Sequence, residues 1–408
     1  MVGMTKTQGS AVAVVLSLLI AFGGGVYAGV SERQSFAATS TSFANPADID
    51  MQQFWEAYQV LNTKFVMSNS SSTLPTTQEQ IYGAISGLAR SFGDPYTVFL
   101  PPSDAQVFQE DISGSFGGVG MEIDNNADGD LVVVAPLKDS PAERAGIRSG
   151  DIIARIGTTS AISIDSNEAI KLIRGPKGTP IELTFLRPGE SEPRVVSVVR
   201  DTISIPVLKS YKRDDGIFVI ELYSFSQNSS NLFRNALREF VLSGSSKLLL
   251  DLRGNPGGYL EASVSMASYF LPVGDIVVTE DFKGKQQNTI HRSLGYNVFA
   301  NKKGFKMAVL INQGSASASE ILAGALAQHG VAKTVGTRTF GKGSVQQLVE
   351  LGGGAELKIT IARWLTPNGM SISDGGLVAD IQVERTAKDV EAGKDPQTDA
   401  AVKYLLGR

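Results

Sequence analysis

The chain has 408 residues, of which 42% are hydrophobic, so it is too long for one ordinary domain and apolar enough for two or three cores. Lys and Arg total 37 against 41 Asp and Glu, and no basic block occurs, which argues against nucleic acid as a main partner. The lack of cysteine excludes disulfides, thiolate metal sites and a cysteine nucleophile. Two histidines, His291 and His329, are fewer than a zinc site usually needs.

The N-terminal segment has the composition of an export signal. Residues 7–31 carry no charge, and the strongly apolar stretch 11–22 is as long as the hydrophobic region of a signal peptide. Its extension to residue 30 reaches the length of about 20 residues that a membrane span needs. We therefore predict a signal peptide or membrane anchor over 1–31 and an extracytoplasmic location. An uncleaved anchor is favoured because no clean small-x-small cleavage site follows.

The next two regions are predicted to be a linker and a helical region. Residues 32–46 are rich in Ser, Thr and Ala and have no periodic pattern, as is typical of a linker. Within 47–105, apolar residues recur at helical spacing over 48–65 and 76–92, which predicts two helices packed together. The stretch GDPYTVFLPP then ends the helical pattern.

Residues 106–201 are predicted to form a compact unit of short strands and two helices. GGVGMEI at 117–123 reads as a glycine turn that leads into a strand. In SPAERAG, Ser140 is placed to cap a helix that has Pro141 at its first position. TPIELTFLR and RVVSVVR alternate as strands do.

Residues 202–408 alternate between strands and helices. KLLLDLRG and KMAVLINQG are short, continuous apolar runs, as expected for parallel strands buried on both faces. Amphipathic or apolar helical stretches lie between them, and TDAAVKYLL predicts a final helix. The region is therefore predicted to be a layered α/β domain.

GSASASE, at 314–320, joins a buried strand to a helix and has two interpretations. The N-terminus of a helix offers free N–H groups and a positive dipole end, which suit a serine nucleophile and its oxyanion. Ser317 and Glu320 also have the S-x-x-E spacing of a capping box, and on this stretch alone the structural role is favoured over catalysis.

Two glycine-rich stretches offer further candidates. DLRGNPGG, at 251–258, follows a buried strand, and Gly257 and Gly258 allow backbone N–H groups to approach a ligand. In GKGSVQ, Lys342 is an ordinary loop lysine unless burial lowers its pKa enough to make it a base. A contact between Lys342 and Gln346 requires a local turn. A phosphate-binding loop is argued against because Gly343 stands where Ser or Thr is needed.

Taken together, these motifs resemble those of the carboxy-terminal processing peptidases, or tail-specific proteases, which are serine peptidases with a Ser–Lys dyad. The resemblance runs over nearly all of 48–406 and rests on several motifs in the same order. They are DPYTVFLPP, FGGVGMEI, SPAERAGIRSGD, DLRGNPGG, VLINQGSASASEILAGAL, TFGKGSVQ and ARWLTPNGMSISDGGLVADI.

The resemblance implies a role for each site residue. Ser317 would be the nucleophile, Lys342 the general base and Gln346 the residue that orients the lysine. The backbone amides of Ala318 and Gly258 would form the oxyanion hole.

The resemblance also implies an architecture and a mode of binding. The core would be a crotonase-like α/β fold, with 106–201 inserted as a PDZ domain after the N-terminal helical segment. The loop of Gly118, Val119, Gly120 and Met121 would bind the carboxylate of a substrate's C-terminal tail. No cofactor or metal is expected, and self-association is left open.

The predicted function is thus extracytoplasmic endopeptidase activity on protein or peptide tails, with a membrane contact through the N-terminal segment. Two alternatives stand beside it. A non-catalytic tail-binding scaffold is disfavoured because both dyad residues are present. A crotonase-type enzyme acting on acyl thioesters is disfavoured by the embedded domain and the export signal.

Overall fold

The computed structural model describes residues 49–67, 74–126, 129–162, 164–204, 206–373 and 375–408. The predicted anchor at 1–31 and the linker at 32–46 lie outside these residues. Within them, no helix has both the length and the apolar character needed to cross a membrane. The chain divides into two units, residues 1–74 and 75–408.

The first unit contributes one described helix, α1 (Gln52–Lys64). The predicted helix over 48–65 is therefore confirmed with slightly shorter bounds. The second predicted helix is α2 (Thr77–Arg90), which begins with a capping box between Thr76 and Glu79. Because the two helices belong to separate units, their packing together stays a prediction.

The segment after α2 belongs to the sheet structure of the second unit. Strand β1 (Val98–Leu100) pairs antiparallel with β18 (Ala355–Leu365), with Val98 opposite Lys358. Helix α3 (Pro102–Ser113) follows and ends at Gly114 in the left-handed conformation. The predicted domain boundary at 105/106 falls inside this helix.

The predicted unit at 106–201 contains its own sheet and hydrophobic core. The sheet has the order β3-β4-β5-β7-β8, with β6 paired to β5. Its apolar side chains, including Val133, Leu183 and Phe185, form a core cluster separate from the others. The elements are β3 (Met121–Asn125), β4 (Leu131–Pro136), α4 (Pro141–Arg144), β5 (Ile152–Ile156), β6 (Thr159–Ser160), α5 (Ser166–Ile173), β7 (Pro180–Leu186) and β8 (Arg194–Val199).

The chain enters and leaves this unit through a two-stranded ribbon. Strand β2 (Ser115–Gly118) pairs antiparallel with β9 (Asp201–Ser204), and Ser115 lies opposite Ser204. The 201/202 boundary of the prediction falls in this ribbon. We call these two strands the stem.

The remaining chain builds a six-stranded sheet of order β10-β11-β12-β15-β16-β19. Strands β11 to β19 of this sheet run parallel, and β10 is antiparallel to β11. Its strands are β10 (Leu208–Lys212), β11 (Phe218–Leu222), β12 (Lys247–Asp251), β15 (Lys306–Ile311), β16 (Ala332–Gly336) and β19 (Ile381–Gln382). The continuous apolar runs are thus buried parallel strands, as predicted.

Both faces of this sheet are covered. On one face, Phe233, Met266 and Leu322 bring α6 (Ser229–Leu242), α7 (Leu260–Ser268) and α8 (Ala318–Gln328) into the largest core cluster. On the other, Ala401 and Leu405 of α10 (Pro396–Leu406) pack against Leu249 and Val335. A short helix, α9 (Ala387–Glu391), precedes α10.

A second sheet of five strands has the order β1-β18-β13-β14, with β17 also paired to β18. It comprises β13 (Ile276–Asp281), β14 (Thr289–Arg292) and β17 (Ser344–Gly352) in addition to β1 and β18. The α/β organisation predicted from the sequence is confirmed.

Candidate active site

The candidate site lies at the carboxyl end of the parallel strands β12 and β15. In open α/β sheets the loops that leave this edge form the usual ligand crevice. The loop after β15 leads through 312–317 into α8, and the loop after β12 contains DLRGNPGG. The Asn312 side chain joins them, since its carbonyl oxygen accepts hydrogen bonds from the N–H groups of Gly254 and Gly314, both at 2.9 Å.

The three serines of GSASASE have different surroundings. Ser315 is buried and donates its hydroxyl to the Leu252 carbonyl at 2.8 Å; Ser319 is buried and donates to the Asn255 carbonyl at 2.9 Å. Ser317 alone of the three is partly exposed. Two of the hydroxyls therefore hold the loops together, and the third faces the site.

Ser317 also has an unusual backbone conformation, with φ 54° and ψ −116°. A non-glycine residue at positive φ costs on the order of 1–3 kcal/mol and persists only where its surroundings impose it. Here Ser317 directly precedes α8, with its N–H bonded to the Glu320 carboxylate. The strained backbone and the partly exposed side chain occur at the same residue, and backbone strain is common at functional sites.

The glycine pair at 257–258 runs directly beside Ser317. Gly257 has φ 102°, and a Cβ atom placed there would lie 2.8 Å from the Ser317 Cβ and 2.9 Å from the Ala318 nitrogen. A Cβ on Gly258, which has φ 141°, would clash with the Phe225 carbonyl oxygen. Only glycine fits this approach. The N–H groups of Ala318 and Gly258 donate no hydrogen bond within the described part of the chain.

Glu320 joins the nucleophile candidate to the base candidate. Its carboxylate is fully buried and accepts four hydrogen bonds. One oxygen accepts from the Thr339 hydroxyl at 2.6 Å and the Gly341 N–H at 2.8 Å; the other accepts from the N–H groups of Ser317 at 2.9 Å and Lys342 at 3.0 Å. The backbone half of the predicted capping box is thus formed. The same carboxylate also fixes the loop that carries Lys342.

Burial has opposite effects on the two charged groups here. It raises the pKa of the Glu320 carboxyl above its ordinary value, although the four donors favour the ionised form. It lowers the pKa of the Lys342 amine, an effect that the Glu320 charge opposes. The Lys342 ammonium nitrogen lies 5.7 Å from the centre of the Tyr96 ring. A lowered pKa is what a lysine base requires.

The structure does not form every contact that the resemblance implies. Within the described residues, the Lys342 side chain makes no hydrogen bond to Ser317 or Gln346. The Gln346 amide instead donates to the Ser344 hydroxyl at 2.6 Å and approaches the Thr360 hydroxyl at 3.5 Å. The orienting role of Gln346 stays a prediction.

The carboxylate-binding loop of the resemblance lies at a separate cavity of about 170 Å³. The N–H groups of Val119 and Gly120 donate no hydrogen bond among the described residues, while their carbonyls accept from Ala142 and Leu137. The cavity is lined mainly by apolar side chains and by the loop; its lining residues are Phe116, Gly118, Val119, Gly120, Met121, Glu122, Ile123, Ile170, Ile173 and Arg174. Free amides beside an apolar pocket suit a chain end with an apolar side chain.

Sequence reasoning missed two contributions to the site. Tyr96 reaches Lys342 from the segment before β1, which the sequence pattern assigned only to the end of a helical region. Lys358, on β18, is half-buried near Lys342, and nothing in the local pattern of β18 signals that position. The S-x-x-E spacing identified Glu320, but not its bonds to 339–342.

Comparisons with known proteins give matches over most of the chain. A family model described as Peptidase family S41 matches residues 216–383, and a PDZ domain model matches 132–187. The carboxy-terminal processing protease CtpA of Bacillus subtilis (strain 168) is 32% identical over 364 residues, covering 89% of this chain and 74% of that protein. CtpB of the same strain is 34% identical over 385 residues, covering 91% and 77%.

One solved structure has a comparable extent of similarity. The photosystem II D1 C-terminal processing protease matches with a TM-score of 0.50 and 29% identity, covering 81% of this chain and 87% of that chain.

Proposed function

Because this chain belongs to peptidase family S41 and is a carboxy-terminal processing serine protease with a PDZ domain, we propose that Ser317 and Lys342 form its catalytic dyad. The family and fold class expected from the sequence are confirmed. The observation that carries the dyad proposal is the shared Glu320 carboxylate, which bonds the backbone N–H groups of both residues.

The proposed reaction is peptide hydrolysis through an acyl-enzyme. Neutral Lys342 accepts the hydroxyl proton of Ser317, and the oxygen attacks the scissile carbonyl carbon. The resulting oxyanion accepts hydrogen bonds from the Ala318 and Gly258 amides. The C–N bond then breaks as the Lys342 ammonium returns its proton to the leaving amine. Lys342 next accepts a proton from water, whose oxygen attacks the acyl carbon. The ester C–O bond then breaks as the Lys342 ammonium returns this proton to the Ser317 oxygen, which releases the new carboxyl end and restores the dyad.

Three features of the structure support this assignment. Burial lowers the pKa of Lys342, so a neutral amine forms more readily than on an exposed lysine. Ser317 is the one partly exposed serine of the three, and the N–H groups of Ala318 and Gly258 have no protein acceptor among the described residues. For Gln346 to orient Lys342, its side-chain amide would have to leave the Ser344 and Thr360 hydroxyls and bind the lysine amine.

The substrates are proposed to be proteins or peptides with exposed C-terminal tails. The terminal carboxylate would bind the loop Gly118, Val119, Gly120 and Met121, and the last side chain would enter the apolar cavity beside it. The free N–H groups of Val119 and Gly120 support this assignment.

We further propose an extracytoplasmic location and a membrane contact, on the evidence of the uncharged segment at 7–31. A homo-oligomer remains compatible with this proposal. No metal or cofactor has a step in the reaction.

The deciding experiment compares the chain from residue 49 onward with its Ser317→Ala variant on a test protein bearing an apolar C-terminal tail. The parent should shorten the tail and the variant should not, while both keep the same circular dichroism spectrum and denaturation midpoint. Cleavage by the alanine variant at the parental rate would contradict the dyad.

A further inference from the structure

A second cavity opens at the carboxyl edge of the parallel sheet, where α9 and the start of α10 meet the loops that follow β12, β15, β16 and β19. Its volume is about 590 Å³, and of its ten lining residues only Val390 is apolar. Ser317, Lys342 and the glycines at 257–258 do not line it. The cavity is therefore distinct from the candidate active site, and the proposed reaction gives it no role.

One wall of this cavity consists of groups that satisfy one another. Arg253 is mostly buried and donates to the carboxylates of Asp251 at 2.7 Å and Asp395 at 2.9 Å. The Gln397 carbonyl oxygen accepts from the same guanidinium at 3.1 Å, and its NH₂ group donates to the Val383 carbonyl at 2.9 Å. This wall is polar and fixed, and its charges are already paired.

Three other charged side chains of the cavity, Arg338, Glu384 and Arg385, have no partner of opposite charge within the described part of the chain. Arg338 donates to the Gly375 carbonyl at 2.9 Å, and Arg385 donates to the Lys394 carbonyl at 3.2 Å. A single backbone bond orients each guanidinium but leaves most of its five N–H donors available. The Glu384 carboxylate accepts no hydrogen bond from a described residue. The cavity thus presents two cations and one anion to a ligand.

Uncharged polar groups complete the lining. The Asn312 carbonyl oxygen is engaged by backbone N–H groups, but its NH₂ group makes no hydrogen bond to a described residue. The same is true of the Gln313 amide and the Thr337 hydroxyl, which also line the cavity. Pockets for small ligands have volumes of about 300–1,000 Å³, so this cavity has the size of a binding site. Its lining suits a small polar ligand with charges of both signs.

We propose that this cavity binds a short peptide with both ends free, its C-terminal carboxylate on Arg338 and Arg385 and its N-terminal ammonium on Glu384. The guanidinium fork matches a carboxylate, and side-chain amides match the peptide groups between the two ends. A simple oxyanion would be repelled by Glu384, so the lining favours a ligand that also carries a cation. Hydrolysis of a tail would release such a peptide. The source of the ligand, but not the site itself, rests on the proposed function.

The cavity also borders the three loops that carry the candidate site. Arg253 lies in the loop with Gly258, Gln313 precedes Ser317, and Arg338 lies four residues before Lys342. Arg338 and Arg385 come together only in the folded chain. A peptide that binds both should therefore raise the denaturation midpoint as its concentration increases.

The test titrates the full chain carrying Ser317→Ala with triglycine, followed by isothermal titration calorimetry and by the denaturation midpoint. N-acetyl-triglycine lacks the ammonium and triglycine amide lacks the carboxylate, so each should bind about threefold more weakly or worse. Triglycine has no side chain to fill the apolar cavity beside the 118–121 loop, which separates the two sites.

Cavity variants locate the binding. Arg338→Gln and Arg385→Gln should each raise the Kd of triglycine about threefold or more. Glu384→Gln should do the same for triglycine but not for its N-acetyl form, which has no ammonium to lose. The matched control is Arg155→Gln, because Arg155 is also exposed and donates to one backbone carbonyl, that of Thr158 at 3.1 Å, yet does not line the cavity. It should leave the Kd unchanged.

Several outcomes would overturn the proposal. Triglycine that does not bind saturably, or binding that survives all three cavity variants, would show that this is not a peptide site. Saturable binding of pyrophosphate that Glu384→Gln strengthens, with none of triglycine, would indicate a site for simple anions instead. If a glutamine variant has a lowered midpoint without ligand, Arg338→Lys and Arg385→Lys keep the charge but not the fork and should still bind more weakly. Binding is measured without cleavage, so a wrong dyad would leave these results unchanged.

Discussion

The Glu320→Gln substitution tests the link between the two halves of the site most directly. Gln has nearly the same shape, but its one carbonyl oxygen can keep at most two of the four donors that the carboxylate accepts. The amide NH₂ group would face the other two. Hydrogen bonds to a charged group contribute about 1.5–3 kcal/mol each, so the gross loss is about 3–6 kcal/mol.

Part of this loss is offset, because the neutral amide does not carry the desolvation cost of a buried carboxylate. We therefore expect the free energy of unfolding to fall by about 2–4 kcal/mol, a large share of the usual 5–15 kcal/mol. The released segments carry Ser317 and Lys342. A misplacement of about 1 Å can cost roughly a hundredfold in rate, so a loss of that order in kcat is expected.

The pH profile separates this mechanism from simple destabilisation. The Glu320 charge opposes the lowering of the Lys342 pKa by burial. With glutamine that pKa falls further, and the acidic limb of kcat/KM should move to lower pH. The assays are chemical denaturation and kcat/KM on a tailed peptide, with Glu391→Gln on the exposed helix α9 as the matched control. A limb that stays in place or moves to higher pH would refute the reasoning.

Three further predictions concern the dyad and the tail. Lys342→Arg should have no peptidase activity with an intact fold, because a guanidinium stays protonated; turnover near the parental value would exclude Lys342 as the base. Ser315→Ala and Ser319→Ala should each lower the free energy of unfolding by about 1 kcal/mol, because each removes one hydrogen bond, yet keep measurable activity. Ser317→Ala should have no activity. A fluorophosphonate adduct on Ser315 or Ser319 would contradict this assignment. A tailed peptide with a free C-terminus should have a higher kcat/KM than its amidated form, since amidation removes the charge that the 118–121 loop would bind. A ratio near one would show that the enzyme does not recognise chain ends.

Much of the fold could be predicted because local patterns and tertiary structure agree. The apolar runs before Asp251 and Asn312 are buried parallel strands, and Ser140 caps α4 as its sequence indicates. The different surroundings of the three serines were not predictable from their spacing, since they depend on the turn of the backbone at Ser317 and on the neighbouring loop.

The remaining features depend on contacts between distant segments. The pairing of Val98 with Lys358 joins residues that no local pattern connects. The same segment carries Tyr96, whose ring lies beside Lys342. The positive φ of Ser317 is imposed by its surroundings, because serine has no intrinsic preference for that region. The boundary placed at residue 106 fell inside α3, since a change in sequence texture does not mark the end of a helix.

The stem affects how easily the segment between β2 and β9 could be replaced by another. Because Ser115 and Ser204 are direct partners in an antiparallel ladder, the two ends of the intervening segment lie only about 5 Å apart. A host protein pays little loop-closure entropy for an insert whose termini already meet, whatever the length of the insert. We therefore expect that the segment can be replaced as one unit while the host sheets keep their register. The proposed recognition of the tail and the proposed cleavage of the backbone would then lie on two parts of the chain that can be exchanged independently.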